Sequence, residues 1–367
     1  MRTITIFYDG SIYTYTWLKP MIVAKKHFKK LGYKVEMSSI RDYLPLWNNQ
    51  KSILKRLIRK KRDIVFMAFH HSTTLLGQMA INERLSFLKV VKENCRQLVW
   101  LDTADSTGTC LFDVMPYVDL YMKKQILKDK EAYLHEFYGG RPFCDYYHKK
   151  LKMTDDTISS RRYPATEKKY LSKLRVSWNV GLGDLYHFKP VRLLIPWTLH
   201  TPKDGCKNRE KKGYDVMWRG SSYSPIAGYQ RSKICELVSN TKTVFHPNPY
   251  EKVPKKQFIE EAKNAKTILS PFGWGEICGR DFEAQLYGAL LIKPSMNHCM
   301  TYPDLYKDGE TYVSLDWDFS NFDDVMNNIS SIEYEKIADN GRKEYLWYRS
   351  DDGMMNFAKH IISQIER

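Results

Sequence analysis

Residues 270–294 read SPFGWGEICGRDFEAQLYGALLIKP. The apolar KTIL just before this stretch (266–269) and the LLIKP that ends it have the length and composition of buried strands, and RDFEAQLYGA between them has helical spacing. Strand, glycine-containing loop, helix and strand, in that order, predict neighbours in one parallel sheet. Ligands of open parallel sheets sit beyond the C-terminal ends of the strands, where loop amides and a helix N-terminus attract anions. Gly273 and Gly275 let the backbone come close to such a ligand. Arg280 opens the helix and suits a diphosphate; Glu283, three residues on, shares its face and suits two adjacent sugar hydroxyls. Glu276 sits in the loop between them. This is the chemistry of a nucleotide-sugar site. On spacing alone, the same residues also suit an Arg–Glu helix pair beside a solvated loop carboxylate.

Outward from this stretch the same alternation recurs. YDVMWRG (214–220) predicts the first strand of the second half, and the WRGSS that closes it offers Arg219, the Gly220 amide and the hydroxyls of Ser221 and Ser222 to phosphate or sugar oxygens. An ordinary turn is the alternative. KTVFHPN predicts a further strand, VPKKQFIEEAKNA a helix with Pro at its start, and the tail from Tyr334 is mostly helical. Upstream, the Pro-, Gly- and charge-rich Ile195–Gly213 reads as a linker. Before it, TITIFY, KVEMSSI, DIVFMAFHH and QLVWLD alternate with helical segments. The expected architecture is α/β: two consecutive Rossmann-like halves, over 1–200 and 201–345, the first carrying a basic, aromatic insertion near 141–175, followed by a helical segment over 346–367.

LSPFGWGEICGRDFEAQLYGALLIKP resembles the donor-binding region of GT-B glycosyltransferases, and is similar to the exostosin-like and family-1-like groups. In those, a loop, an Arg and a Glu three residues later precede a small-residue turn and an apolar strand. The resemblance implies that Glu283 takes the donor ribose, that Arg280 takes the diphosphate, and that Arg219 and Ser221 contact phosphate. It also implies a GT-B fold, in which the two Rossmann-like domains face each other across a cleft and the C-terminal helix, 346–367, crosses back to the first domain. With that fold comes a metal-independent enzyme with no cofactor, whose substrate is a nucleotide sugar, UDP- or GDP-linked, and whose acceptor is a glycan or lipid-linked saccharide. Glu276 and Glu283 have six residues between them where many retaining members have seven.

An inverting transfer needs a base at a strand end of the first domain. WLDTADSTG (100–108) offers Asp102 and Asp105, ranked ahead of Asp9 and His70, which end two other strands. Each of these also suits a helix cap. The late Asp316-Trp317-Asp318 has the Asp-x-Asp form of metal-dependent transferases, but its place after both predicted sheets favours capping, and no metal site is expected.

Lys and Arg number 58 against 42 Asp and Glu, a net charge of +16 that favours anionic partners. KSILKRLIRKKR (51–62) predicts a basic amphipathic helix, docked on its own sheet in preference to an anionic membrane surface. Arg141–Arg175 interleaves ten basic residues with Phe143, Tyr146, Tyr147, Tyr163 and Tyr170, a composition that suits stacking on bases or sugars as well as a solvated insertion. No nucleic-acid motif accompanies it, so no nucleic-acid partner is expected; a basic nucleic-acid-binding protein and an inactive nucleotide-sugar-binding relative are the competing classes. Seven scattered cysteines, without a CxxC, predict reduced thiols and, with no apolar run long enough to span a bilayer, a cytoplasmic protein.

Overall fold

The computed structural model describes residues 1–9, 12–39, 60–69, 81–159, 163–183, 209–220, 224–240, 248 and 251–366. Strands β1 (Arg2–Tyr8), β2 (Tyr33–Ser39), β3 (Arg62–Phe69), β4 (Cys95–Asp102), β5 (Leu120–Lys123) and, later in the chain, β7 (Leu174–Val176) form a parallel sheet in the order β2-β1-β3-β4-β5-β7. Alternate side chains leave opposite faces of a strand. Phe7, Val65, Met67, Leu98 and Trp100 therefore build one core, against α4 (Ile81–Glu93). Ile4, Ile6, Ile64, Phe66, Val99 and Leu101 build the other, against α1 (Ile12–Trp17), α2 (Lys19–Val23) and α3 (Lys25–Lys30). Apolar residues on both faces are what a sheet covered by helices on both sides requires.

A second parallel sheet orders β8 (Tyr214–Met217), β9 (Ala265–Leu269), β10 (Leu290–Pro294) and β12 (Val313–Leu315) as β12-β10-β9-β8. Helices α7 (Tyr229–Asn240), α8 (Lys255–Asn264) and α9 (Gly279–Leu286) connect its strands, followed by α10 (Phe322–Asn327) and α11 (Ile332–Tyr348). A two-stranded antiparallel ribbon ties the halves together: β6 (Gln125–Leu127) pairs with β11 (Cys299–Thr301), Cys299 opposite Leu127. The last helix, α12 (Asp351–Glu366), buries Met354, Phe357, Ala358, Ile361 and Ile365 in the first sheet's core. Those positions recur every three or four residues, so one apolar stripe carries the helix back across the molecule. The expected α/β architecture with a returning terminal helix is the observed one.

The aromatic, basic stretch Arg141–Arg175 corrects its sequence reading. Helix α5 (Pro142–Leu151) and the short α6 (Asp156–Ser159) bury Phe143, Cys144, Tyr147 and Ile158 in one cluster with Phe272, Phe282 and Leu291 of the second half. The stretch then ends as β7, the edge strand of the first sheet. Phe143 and Tyr147 are thus core residues, Tyr146 and Tyr170 pack half-buried at its margins, and no open stacking surface is formed by this set. All but the last residues of Lys51–Arg62, most of Ile195–Gly213, and KTVFHPN up to Pro247 lie outside the described residues.

Candidate active site

The C-terminal ends of β1 and β4 and the loop after β5 face the loop between β9 and α9 across a cavity of about 300 Å³. Tyr13, Thr103, Asp105 and Lys124 line it from the first half; Arg231, Gly273, Gly275, Cys278 and Gly279 line it from the second. The two walls meet closely. A Cβ on residue 275 would lie 1.8 Å from the Asp105 carbonyl oxygen, so only glycine lets the loop pack there.

On the first wall, the structure separates three of the four candidate bases. Asp105 faces the cavity with its side chain half exposed, and its Oδ1 accepts a 3.0 Å hydrogen bond from Lys124, whose own side chain is buried. Asp102, expected beside it, is 1% exposed. It accepts hydrogen bonds from the Ala104 amide (2.7 Å), Lys123 Nζ (3.1 Å) and the Tyr121 hydroxyl. Lys123 also donates to the carbonyls of Ala104 and Thr109. That carboxylate is an internal counter-charge that shapes the loop and has no path to an acceptor hydroxyl. Asp9 is buried too. His70 lies outside the described residues.

Behind the second wall, next to the lining residue Gly279, Arg280 is the outstanding group; neither it nor Glu283 lines the cavity itself. Its Nη2 donates to the Arg219 carbonyl at 2.8 Å and its guanidinium lies 4.6 Å from the Trp218 ring centroid. Its Nε and Nη1 are closed off from solvent and make no hydrogen bond among the described residues. Burial lowers its pKa and Arg231 adds to that, while Cys278, Glu283 and Asp281 act in the opposite sense. Glu283 lies one turn along α9; burial holds its carboxyl above the ordinary value, against the pull of Arg280 and Lys255. A part-buried cation with two idle, solvent-inaccessible donors next to a carboxylate that its surroundings resist ionising is an arrangement poised for a ligand.

Two expected contacts are corrected. The Arg219 guanidinium is spent inside the protein: Nε and Nη2 grip the Glu261 carboxylate, and Nη1 donates to the carbonyls of Asn248 (2.7 Å) and Glu251 (2.8 Å). Arg219 offers this region its carbonyl, taken by Arg280, in place of its charge. Gly220 follows it, and Ser221 and Ser222 lie outside the described residues. Glu276 does not open on the cavity either; it is 0% exposed. Its Oε1 accepts from Ser106 Oγ (2.9 Å) and Thr107 Oγ1 (2.7 Å), and its Oε2 from the Thr107 amide (3.0 Å). Burial alone would raise its pKa; the His298 ring 3.8 Å away and the Thr107 hydrogen bonds outweigh that and hold it down at about 2. Glu276 staples one half of the molecule to the other directly behind Asp105.

Sequence reasoning passed over the group that builds the loop. Asp281, at the start of α9, accepts from Ser270 Oγ, the Cys278 amide (3.1 Å), Lys293 Nζ (2.6 Å) and Tyr306 OH (2.7 Å). Lys293 also donates to the Glu276 carbonyl at 2.6 Å. This fully buried pair fixes both ends of residues 276–281. The signal was present: a lysine inside the otherwise apolar LLIKP needs an internal partner. Arg231, in the first turn of α7, was also missed; it reaches the cavity while its Nε donates to the Phe272 carbonyl at 3.1 Å. Asp318 of the Asp-x-Asp pairs with Lys150 at 2.6 Å and receives the Ser320 amide and hydroxyl, the hydrogen bonding of a capped turn.

No family model matches the sequence, and no curated protein matches it. Among solved structures, an alpha-glucosyltransferase in complex with UDP and a 13-mer DNA containing an HMU base superposes with a TM-score of 0.50 at 12% identity, over 100% of this chain and 99% of that one. An alpha-glucosyltransferase complex with UDP-glucose and DNA containing an abasic site gives 0.49 at 10% identity, over 98% of each chain. HepE from Anabaena in complex with UDP gives 0.48 at 11% identity, over the whole of both chains. The chain has the GT-B glycosyltransferase fold. Among the described residues, no helix is long and apolar enough to cross a membrane.

Proposed function

We propose that this protein is a glycosyltransferase that takes a sugar from a UDP- or GDP-linked donor held between its two halves and passes it to an acceptor hydroxyl. The observation that carries this reading is the guanidinium of Arg280, part-buried at the N-terminus of α9 with two idle donors closed off from solvent, and with Glu283 one turn away. In this reading Arg280, Arg231 and the α9 amides neutralise the diphosphate and its growing charge as the sugar leaves, so protein cations supply what a divalent metal supplies elsewhere. Glu283, ionised, accepts the ribose hydroxyls. Asp105, on the opposite wall, takes the acceptor proton, with Lys124 fixing its orientation. The UDP in the alpha-glucosyltransferase of the same fold supports the nucleotide assignment.

The acceptor we favour is a glycan or lipid-linked saccharide. A hydroxyl on nucleic acid is the second reading, supported by the +16 charge and by the DNA in the alpha-glucosyltransferase complex. Thermal shifts across UDP, GDP and their sugars, followed by labelled-sugar transfer to saccharides and to the HMU-containing 13-mer, test both steps. Stabilisation by no nucleotide overturns the donor assignment; transfer to the DNA alone, falling as salt rises, selects the second acceptor.

Two substitutions test the roles. Asp105→Asn is expected to lower turnover about 10²–10⁴-fold while UDP still raises the melting temperature; near-normal turnover removes Asp105 from the chemistry. Glu283→Gln is expected to lose donor stabilisation yet melt no lower, and at neutral pH somewhat higher, than the wild type. The sign follows from its raised pKa: ionisation of Glu283 opposes folding at pH above that pKa, and glutamine removes the opposition. By the same logic wild-type donor affinity falls on acidification, beginning at a higher pH than an ordinary glutamate would give. Titration of UDP affinity against pH checks it.

A further inference from the structure

A second cavity, of about 470 Å³, opens where the parts that join the two halves meet: the β6–β11 ribbon, the edge strand β7 and the returning α12. Among the described residues it shares no lining residue with the first cavity. Lys130, Arg175 and His360 line it, and no carboxylate does among the described residues. Lys130 Nζ and Arg175 Nη1 both donate to one oxygen, the Leu174 carbonyl, at 3.0 and 2.9 Å. Two cations thus share a neutral acceptor. Burial lowers the Lys130 pKa and Arg175 lowers it further, and no carboxylate among the described residues offsets them. The acids next to Lys130 in sequence are turned elsewhere: Asp129 accepts the Glu131 amide at 2.9 Å, and Glu131 reaches Lys168 at 3.6 Å. From α12, the His360 ring stacks on Tyr302 at 4.0 Å, with its Nε2 2.9 Å from the Ser177 carbonyl. Like charges held this close in a partly desolvated recess repel, and an anion between them reverses the sign of the interaction.

We propose that this cavity binds a phosphate monoester, its anionic head on Lys130 and Arg175 and its ester group against Met300 and Tyr302. Lys130 Nζ makes one hydrogen bond among the described residues, so two of its three donors are open to the head. An ammonium beside a guanidinium suits a dianion, and Leu174, Val176, Met300 and Tyr302 suit a compact apolar body. Because the walls come from both halves and from α12, such a ligand binds the assembled protein and stabilises it. The site does not depend on the donor reading.

The test measures melting of the full-length protein with phenyl phosphate and with inorganic phosphate, at constant ionic strength, with and without saturating UDP. Both phosphates are expected to stabilise, phenyl phosphate binding several-fold more tightly through its ring, and UDP should leave both shifts in place. Lys130→Met should weaken phenyl phosphate about tenfold or more. Without ligand it should melt no lower than the wild type, since Arg175 still satisfies the Leu174 carbonyl, and it should keep its response to UDP. Lys130→Glu, which sets a carboxylate beside Arg175, should lose the phosphate response altogether. The proposal is overturned if neither phosphate stabilises the protein, if saturating UDP abolishes the shifts, or if phenyl phosphate binds no more tightly than phosphate. It is also overturned if Lys130→Met melts lower with the phosphate shift unaltered, the behaviour of a structural lysine. Flotation with phosphatidic acid vesicles separates the sources of such a group: capture that Lys130→Met abolishes assigns a lipid headgroup, and any other result a soluble ester. If UDP fails to stabilise the wild type, the donor reading falls separately and the Lys130 variants still judge this site.

Discussion

Arg280→Met should abolish stabilisation by UDP and UDP-sugars, and lower kcat/KM by about 100-fold or more, the usual consequence of truncating a buried, charge-assisted contact. The same variant should unfold at a higher temperature than the wild type in the absence of nucleotide. The two effects come from one cause. In the free protein Arg280 is a part-buried cation that spends Nη2 on the Arg219 carbonyl, rests on Trp218, and leaves Nε and Nη1 closed off from solvent without acceptors. Each unpaired buried donor costs about 1–3 kcal/mol. Methionine has a similar reach, fills the space against Trp218 and brings no donors, so the folded protein gains what the ligand loses. Arg280→Lys should restore little binding, since an ammonium cannot reproduce the planar two-nitrogen edge. A structural arginine would behave in the opposite way: its loss would lower the melting temperature and leave nucleotide affinity unaltered. Melting curves with and without UDP distinguish the two in one experiment.

What the sequence made legible follows from the range of the interaction concerned. The strand, loop, helix and strand of 265–294 depend on local periodicity and glycine placement, and the structure builds them as β9, the 273–275 turn, α9 and β10. The helix end is marked by Gly288, whose φ of +61° suits glycine. The return of α12 was expected from the resemblance to GT-B enzymes, and its stripe from Met354 to Ile365 packs in the first sheet's core. Arg219, Asp102 and Glu276 were read wrongly for one reason. Each is a charged residue at a strand end or loop whose partner is remote in sequence: Glu261 for Arg219, Tyr121 and Lys123 for Asp102, Ser106 and Thr107 for Glu276. From composition alone, a charge waiting for a ligand and a charge already answered inside the fold look the same. The structure separates them by counting donors: Arg219 has each of its nitrogens engaged, and Arg280 one of three.

That distinction gives Glu276 an expected phenotype unlike that of any donor contact. Its folded-state pKa is depressed, so its contribution is present in full above the ordinary carboxylate range and is lost as the pH falls toward its own. A fall from 4.5 to about 2 corresponds to on the order of 3 kcal/mol for this buried group. Glu276→Gln should lower the unfolding free energy at pH 7 by a comparable amount, because the His298 ring loses its carboxylate, one amide oxygen cannot serve both Ser106 and Thr107, and the NH₂ would face the Thr107 amide donor. The variant should also lose that part of the wild type's acid sensitivity which falls between about pH 4.5 and 2, seen by denaturant titration at stepped pH. Transfer should fall with stability, since residues 105–107 would no longer be held against Gly275 and Asp105 would lose its fixed place on the cavity wall. If instead Glu276 held the donor sugar, glutamine would slow transfer while the melting temperature and acid limb stayed as in the wild type. Its complete burial behind Thr107 requires the former result.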